Sequence, residues 1–322
     1  MEFSRETLLD VYRRMRTIRT FENKLAEFVL EGKLAGFLHL YAGQEAVAVG
    51  VCMHLADRDI VTTTHRGHGH CIAKGVGLRE MMAELFGRST GVCKGKGGSM
   101  HIADLNHGML GANGIVGSGI PLAVGAALTA SVKKTGGVAV AFFGDGATNQ
   151  GQFHEGLNLA AVWRLPVVFV IENNLYGEAT PYEFVTPVRN LADRAASYAM
   201  PCAVADGMDF FDVHEKAGEA IDRARRGDGP TLLECKTYRY FGHYVGDPLT
   251  YRTKEESDEV QRTRDPLDLL EKRLVEGGLV AARVLREIDG ETAESVAAAV
   301  EWAEQSPFPS PDDLLVDVYA KE

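Results

Sequence analysis

The feature that most constrains the fold is a stretch, residues 138–176, that is typical of a strand, a helix and a second strand. Residues 138–143 and 167–171 are short apolar runs, as expected for buried strands. Between them, apolar residues recur at helical spacing until Pro166. Two strands joined through a helix by short loops pair in parallel, with a right-handed crossover. The stretch therefore predicts a doubly wound, mostly parallel α/β sheet.

Two polar side chains follow these predicted strands. Asp145 comes after the first strand and Asn174 after the second, 29 positions later. Ligands bind at the carboxyl ends of parallel strands, so we expect the two side chains to lie close together at a site. Their oxygens suit Mg²⁺, which keeps coordination positions for phosphate oxygens and water. Flanking glycines let the backbone approach a phosphate, and the following helix directs its N-terminus at the anion.

Two other interpretations of this stretch deserve comparison. Gly-Asp-Gly alone is a common turn after a strand. A nicotinamide-binding fold needs G-x-G-x-x-G, but Asn149 stands at the third glycine position. The pairing of Asp145 with Asn174 at crossover distance favours the metal and phosphate site over both.

Composition narrows the class of protein. The net charge of −11 and the pI of about 5.4 argue against nucleic acid as a partner. The sequence starts without the apolar core of a signal peptide, and no run reaches the length of a membrane helix. The five cysteines lack C-x-x-C spacing and predict buried thiols in a reducing compartment. We therefore expect a cytoplasmic protein that acts on neither nucleic acid nor a membrane.

The chain of 322 residues is predicted to form one α/β domain over residues 1–305, with a tail at 306–322. An N-terminal helix precedes the sheet and a helical extension follows it. Nine glycines among residues 91–119 predict an ordered, functional loop, and residues 174–196 are predicted to be irregular. Further helices are predicted at 5–31, 44–54, 78–86, 121–134 and 212–226, and strands at 203–205 and 231–237.

Long motifs recur in a specific order along nearly the whole chain, roughly residues 8–303. They are GFLHLYAGQEAVAVG (36–50), THRGHGHCIAKG (64–75), GKGGSMHIAD (95–104), GANGIVG (111–117), GDGATNQGQFHEG (144–156), ENNLYGEATP (172–181) and TYRYFGHYVGDP (237–248). With these motifs the chain resembles the alpha subunits of the thiamine-diphosphate-dependent, decarboxylating component of 2-oxoacid dehydrogenase complexes.

The resemblance implies thiamine diphosphate and Mg²⁺ as cofactors, held by the diphosphate-binding half of a thiamine-diphosphate fold. Many pyruvate-type members carry tyrosine at the position of His65, so its direct contact with the diphosphate is left open. By resemblance, the metal ligands are Asp145, Asn174 and the carbonyl of Tyr176; the cofactor contacts are His65, Arg66, Gly114, Val116, Gly146, Ala147, Asn174 and His243; and the catalytic residues are His39 and His243.

Several of these side chains also allow a structural interpretation. His39 lies in an apolar run, which is typical of a core histidine. His65, His68 and His70 suggest a metal cluster, but their spacing fits no strong zinc pattern. Arg66 and Arg239 could each be a solvated charge rather than part of the site, but flanking glycines and aromatic residues argue against this for Arg66.

A carboxylate must polarise the cofactor's ring, and it normally comes from a second α/β domain that this chain lacks. Glu45 is the tempting internal candidate, but it lies on a predicted helix among small residues, so we interpret it as structural or interfacial. The resemblance implies that a beta subunit supplies the carboxylate, in an α₂β₂ heterotetramer.

The expected reaction cleaves a small substrate and passes the acyl group to a lipoyl acyltransferase component. His39 and His243 are candidates for proton transfer, because histidine titrates near neutral pH. The motifs at 36–50, 64–75 and 95–117 favour acetoin, while pyruvate and a branched-chain 2-oxoacid are alternatives. A non-catalytic scaffold subunit is the alternative of another class.

Overall fold

The centre of the structure, a computed structural model, is a six-stranded sheet. The structure describes residues 3–34 and 36–319. The sheet strands are β1 (Ile60–Thr64), β2 (Met109–Asn113), β3 (Ala139–Gly144), β4 (Val167–Asn173), β7 (Cys202–Asp206) and β8 (Thr231–Lys236), and a separate short hairpin comprises β5 (Tyr176–Gly177) and β6 (Thr180–Pro181). The sheet order is β2-β1-β3-β4-β8-β7, with every neighbouring pair parallel. The predicted doubly wound parallel sheet is confirmed.

Side chains of the central strands alternate between two hydrophobic cores. On β3, Val140 and Phe142 contribute to the larger core, whereas Ala139, Ala141 and Phe143 contribute to the smaller one. This is the two-residue period of a strand. Both faces are covered, as parallel sheets require.

Helices pack on both faces of the sheet. The larger core includes side chains from α1 (Arg5–Leu30), α2 (Glu45–Cys52), α3 (His68–Lys74), α4 (Leu78–Leu85), α8 (Phe210–Arg225), α10 (Pro266–Glu276) and α11 (Ala282–Gln305). The smaller core includes side chains from α5 (Gly119–Lys133), α6 (Gly151–Trp163) and α7 (Tyr182–Val185). The polar helix α9 (Lys254–Arg264) buries no residue.

Local sequence accounts for the first helix. The Ser4 side chain accepts a hydrogen bond from the Thr7 N–H and caps α1. Buried residues such as Leu8, Met15 and Phe21 then recur along one side of the helix. For this helix and the other elements whose bounds we predicted, the observed ends lie within two residues of the prediction.

Short elements with a weak sequence pattern escaped prediction. Strand β2 lies inside the segment 91–119 that we expected to be a loop, because its sequence, MLGAN, contains glycine and asparagine. Strand β1 is short and rich in threonine, and α3 begins with two histidines and a glycine, which are weak helix formers. All seven residues of α3 are buried, so tertiary packing overrides propensity there. Residues 174–196, predicted to be irregular, contain the β5–β6 hairpin, α7 and a 3₁₀ helix at Leu191–Tyr198.

The prediction that all five cysteines are buried is wrong. Cys52, Cys71 and Cys235 are buried, but Cys93 is half-buried and Cys202 is exposed. Cys202 begins β7, which forms one edge of the sheet, and this position explains its exposure. Within residues 3–34 and 36–319, none of the helices has the length and apolarity needed to cross a bilayer.

The chain after α11 packs against the start of the glycine-rich segment. The Ser89 N–H donates to the Pro307 carbonyl at 3.0 Å, and the Arg88 guanidinium lies 3.8 Å from the centre of the Phe308 ring. Lys94 pairs with Asp317 at 2.5 Å. Residues 320–322 of the predicted tail lie outside the described residues.

A single buried carboxylate organises the glycine-rich segment. Glu84, on α4, accepts backbone N–H bonds from four residues at 2.7–2.9 Å. A Cβ at Gly91 would lie 2.4 Å from the Glu84 Oε2 atom, so only glycine fits there. The four donors are Cys93, Gly95, Gly97 and Gly98.

Replacing Glu84 by glutamine should therefore loosen the segment. The new amide N–H₂ would face two backbone donors, and each unsatisfied donor costs about 1–3 kcal/mol, so we expect a destabilisation of about 2–6 kcal/mol. Urea unfolding measures the loss, and amide hydrogen exchange locates it at residues 93–98. The matched control is Glu80→Gln at an exposed position of the same helix. Unchanged exchange in Glu84→Gln would contradict this role.

Candidate active site

The loops that follow β1, β3, β4 and β8 meet at one edge of the sheet and line a cavity of about 350 Å³. The glycine-rich segment closes another side of it. Every side chain predicted from the sequence for the site lines this cavity: His39, His65, Arg66, Gly114, Val116, Asp145, Gly146, Ala147, Asn174, Tyr176 and His243.

Asp145 and Asn174 present unpaired oxygens to the cavity region. Asp145 is 2% exposed, and its Oδ2 atom has no hydrogen-bond donor among the described residues. The Asn174 amide nitrogen donates to Gln44 Oε1 at 3.0 Å, and the Asn174 Oδ1 atom is likewise buried without a donor there. Buried oxygens are normally paired, so these two have the character of metal ligands.

The environment of Asp145 disfavours its charge. Burial raises the pKa of Asp145 to about 6, although its own backbone N–H, Arg239 and the Asn174 N–H act to lower it. A Cβ at Gly146 would lie 3.4 Å from the Gly177 Cα, so two backbone segments meet closely beside this carboxylate. The third predicted metal ligand, the Tyr176 carbonyl, accepts a hydrogen bond from Arg239 at 3.3 Å.

Two buried guanidinium groups give the cavity a positive end. Arg66 donates to the carbonyls of Leu40 and His243, at 2.6 and 2.9 Å. Arg239 is 1% exposed and donates to backbone carbonyls and to the Tyr251 hydroxyl. Burial and the neighbouring Arg239 lower the pKa of Arg66 to about 9. Within the described part of the chain neither arginine forms a salt bridge with a carboxylate, so the site favours an anion.

Three histidines from distant parts of the sequence form a compact cluster in the same cavity. The centres of the His39 and His65 rings are 4.4 Å apart, and the His243 ring lies 4.9 and 5.1 Å from them. Burial, followed by the charge of Arg66, lowers the pKa of His39 to about 3, of His65 to about 2 and of His243 to about 4. The expectation that His39 and His243 titrate near neutral pH is therefore wrong for the ligand-free cavity, where both rings are neutral.

The other histidines of the 64–75 motif point elsewhere. His68 Nδ1 contacts Glu22 at 3.1 Å, and its Nε2 contacts Ser99. His70 Nδ1 lies 2.8 Å from Thr63 Oγ1, and its Nε2 lies 3.2 Å from Glu172. Structure thus separates His65 from its sequence neighbours and places it with His39 and His243.

These histidines should make the ligand-free protein sensitive to acid. An unfolded chain protonates histidine near its ordinary pKa of 6.5, whereas the folded cluster does so only at lower pH. Stability present above pH 6.5 is therefore lost as the pH falls, by at most about 1.4 kcal/mol per pH unit for each histidine.

We expect His65→Asn to make the unfolding free energy less dependent on pH, by the contribution of up to one titrating proton. The measurement is the urea unfolding free energy between pH 6.5 and 4.5. The control is His154→Asn, at an exposed position on α6. Equal slopes for wild type and His65→Asn would show that His65 titrates normally.

The mouth of the cavity is apolar. Ile115 and Val116 are 66% and 48% exposed, and the Ile115 N–H donates to the Asn113 Oδ1 atom at the end of β2. A Cβ at Gly114 would meet nothing within 4 Å, so the backbone there faces open space. Such exposed apolar side chains beside a deep site are typical of a surface that another molecule covers.

Glu45, the tempting internal carboxylate, is already paired. It is fully buried and accepts hydrogen bonds from the Arg19 guanidinium, at 2.5 and 3.1 Å, and from the Gly43 N–H. Arg19 also contacts Asp265 at 2.8 Å. Glu45 does not line the cavity, and its contacts agree with the structural interpretation.

Comparison with known proteins identifies the family. The protein-family profile described as "Dehydrogenase E1 component" matches residues 13–312. The chain belongs to this family. The resemblance predicted from the motifs is therefore confirmed, and the chain is a subunit of a dehydrogenase of the E1 type.

Curated relatives cover nearly the whole chain. The alpha subunit of acetoin:2,6-dichlorophenolindophenol oxidoreductase from Bacillus subtilis is 56% identical over 319 residues, which are 99% of this chain and 95% of that protein. Its counterpart from Cupriavidus necator is 54% identical, over 99% of this chain and 96% of that protein. The pyruvate dehydrogenase E1 component subunit alpha from Zymomonas mobilis is 44% identical, over 98% and 89%.

Sequence reasoning about this E1-type subunit missed three cavity residues. Arg239 is buried rather than solvated, and its place between two tyrosines after β8 was the available signal. Glu172 stands two positions before Asn174 on β4, and it accepts a hydrogen bond from Tyr41. Gln44 orients the Asn174 amide, a role that no local pattern reveals.

Proposed function

We propose that this chain is the alpha subunit of a thiamine-diphosphate-dependent acetoin dehydrogenase and that its cavity binds the magnesium diphosphate of the cofactor. The observation that supports the proposal is that buried oxygens and buried cations share one cavity. Among the described residues, Asp145 and Asn174 offer two buried oxygens that lack donors, and Arg66 and Arg239 offer two buried cations without carboxylate partners. A metal-bound diphosphate satisfies both.

The residues present fit the cofactor. Asp145, Asn174 and the Tyr176 carbonyl would hold Mg²⁺, whose preference is for oxygen ligands. The backbone at Gly146 and Ala147 would approach the phosphates, with Arg66 as a charged donor. A Cβ at Gly114 or Gly144 would meet nothing within 4 Å, which leaves room for a ligand against the backbone. Gly114 and Val116 would meet the aminopyrimidine ring through their backbone groups.

When bound, the cofactor supplies a thiazolium carbanion as the nucleophile. The chain's own contribution is positioning and proton transfer. Arg66, which donates to the His243 carbonyl, links the diphosphate end to the histidines. His39 and His243 are neutral imidazoles, so each can accept a proton from a substrate hydroxyl and return it. The role of His65 would be to keep these rings packed and dry.

A beta subunit would complete the site. Glu172 lines the cavity, but it is bonded to Tyr41 and His70, and Glu45 is bonded to Arg19, so neither is placed to activate the cofactor's ring. The exposed Ile115 and Val116 would lie against the partner. A second exposed apolar face, on the adjacent helices α5 and α6, supports further subunit contacts in an α₂β₂ assembly; it comprises Leu122, Leu128, Val132, Leu159, Val162 and Trp163.

Acetoin is the substrate that these relatives favour, because the Bacillus subtilis and Cupriavidus necator proteins, at 56% and 54% identity, are named for it, whereas the Zymomonas mobilis protein, at 44%, is named for pyruvate. We further propose that the acyl product passes to a lipoyl acyltransferase component. Pyruvate is the alternative substrate.

The test is reconstitution of this chain with its beta subunit and measurement of 2,6-dichlorophenolindophenol reduction with acetoin, pyruvate or 3-methyl-2-oxobutanoate. We expect turnover of acetoin, none with the alpha chain alone, and an α₂β₂ mass by light scattering. Turnover of pyruvate without acetoin would overturn the substrate assignment. Failure of the assembled pair to bind thiamine diphosphate in calorimetry would instead support the scaffold alternative.

A further inference from the structure

We propose that His39, His65 and His243 form a binding site for a divalent transition-metal ion of the zinc class, separate from the oxygen ligands for Mg²⁺. One ring nitrogen from each histidine can be chosen so that all three lie within 4.8 Å of one another. The three residues lie before α2, after β1 and after β8, so the fold alone brings them together.

The geometry needs little adjustment to hold a metal. Three atoms within 4.8 Å of one another fit a circle of radius about 2.8 Å, whereas Zn–N bonds are about 2.0–2.1 Å. Tetrahedral coordination at that bond length places three nitrogens on a circle of about 1.9 Å radius, so each must move inward by about 0.9 Å, a ring swing of roughly 15° that stays within the width of a rotamer well. Three imidazoles around one ion leave the fourth tetrahedral position open for water or a ligand.

The rings are available as ligands. The Nδ1 atoms of His39 and His243 are buried and have no hydrogen-bond partner among the described residues. Such unpaired buried nitrogens are unusual, and a metal would satisfy them. The cluster contains imidazole nitrogens and no carboxylate, which favours Zn²⁺ over Mg²⁺.

The surroundings also limit the affinity. Arg66 lies close enough to lower the pKa of all three histidines, and the same positive charge opposes a cation. Within the described part of the chain, no carboxylate accepts a hydrogen bond from the Nδ1 atom of His39 or His243, as is common in tight zinc sites. We therefore expect an exchangeable, inhibitory site rather than a permanent structural one.

Zn²⁺ and the cofactor should compete for the cavity, an inference that rests on the proposed function. The histidine cluster and Arg66 line the same cavity. A metal held by the cluster would occupy space beside the guanidinium that is proposed to receive the diphosphate. Thiamine diphosphate with Mg²⁺ should therefore weaken the apparent binding of Zn²⁺.

The experiment is calorimetric titration of Zn²⁺ into the chelator-treated full chain, with Co²⁺ absorption as a probe of tetrahedral coordination. We expect one Zn²⁺ per chain and a loss of affinity of about tenfold or more in His65→Asn and, separately, in His243→Asn. The control is His154→Asn, at an exposed position outside the cluster. Wild-type affinity and absorption in both cluster variants would overturn the site, as would absence of Zn²⁺ binding by the folded wild type.

A second titration, of the alpha–beta pair, distinguishes failure of the metal site from failure of the proposed function. Thiamine diphosphate with Mg²⁺ is titrated into the alpha–beta pair, with and without Zn²⁺. Binding of the cofactor without any binding of Zn²⁺ would overturn the metal site alone. Binding of Zn²⁺ that depends on the three histidines, in a pair that never binds the cofactor, would overturn the proposed function alone.

Discussion

Replacing Asp145 by asparagine is expected to stabilise the ligand-free protein while weakening the proposed binding of magnesium and thiamine diphosphate. Burial raises the pKa of Asp145 from 3.8 to about 6, so ionising it costs more in the folded than in the unfolded state. Ionisation of Asp145 therefore lowers the unfolding free energy progressively as the pH rises from about 4 to 6. Above pH 6, asparagine should raise the unfolding free energy by up to about 3 kcal/mol, at about 1.4 kcal/mol per pKa unit.

Binding should change in the opposite direction. Asp145 is the one anionic residue in the proposed metal set, and asparagine offers the ion only a neutral oxygen. We expect the affinity for magnesium and thiamine diphosphate to fall by about 100-fold or more, which is about 3 kcal/mol.

Urea unfolding of the ligand-free protein at pH 4 and pH 7.5, together with calorimetry of cofactor binding, checks both effects. The stabilisation should be present at pH 7.5 and nearly absent at pH 4. The control is Asp57→Asn, which removes an exposed carboxylate. If Asp145→Asn were less stable than wild type at pH 7.5, or bound the cofactor normally, the assignment of Asp145 would be wrong.

Replacing Arg66 by methionine is expected to weaken cofactor binding by about 100-fold or more. The guanidinium is 4% exposed, and it forms no salt bridge within the described residues. Charge-assisted hydrogen bonds contribute about 1.5–3 kcal/mol each, and a diphosphate would receive two of them from one guanidinium. Lysine keeps the charge but not the planar fork, so Arg66→Lys should show an intermediate loss.

Calorimetry at saturating Mg²⁺ measures this series, and circular dichroism establishes that each variant is folded. The matched control is Arg58→Met, which removes an exposed arginine two residues before β1. An affinity in Arg66→Met equal to that of Arg58→Met would exclude contact between Arg66 and the diphosphate.

Both predictions depend on one physical property of the ligand-free cavity. Asp145, Arg66 and Arg239 are charged groups held out of water, and none has an oppositely charged partner in hydrogen-bond contact among the described residues. Such groups lower stability until a ligand satisfies them. The metal diphosphate proposed as the ligand would satisfy all three groups and so offset this loss of stability.

The sequence predicted those parts of the fold and site whose signals are local. The crossover between β3 and β4 follows from two apolar runs and a helical period, so Asp145 and Asn174 could be placed at one sheet edge without coordinates. Arg66 was predicted through its motif. Whether these residues act as predicted awaits the experiments above.

Other features carried no local signal. The short strand β2 sits in a glycine-rich segment, and Glu84 holds that segment through contacts with backbone N–H groups, which have no side-chain signature. The burial of Arg239 depends on the hairpin carbonyls of Tyr176 and Glu178, more than 60 residues away.

By itself, then, the sequence determined the family and the parallel sheet, and it placed Asp145 and Asn174 at one sheet edge, because apolar periodicity and motif spacing are properties of neighbouring residues. Only the tertiary structure decided that the Asp145 and Asn174 oxygens lack donors within residues 3–34 and 36–319, that two guanidinium groups share a cavity, and that His39, His65 and His243 meet. Those facts arise from packing between distant segments, which sets burial and charge in ways that no local pattern encodes.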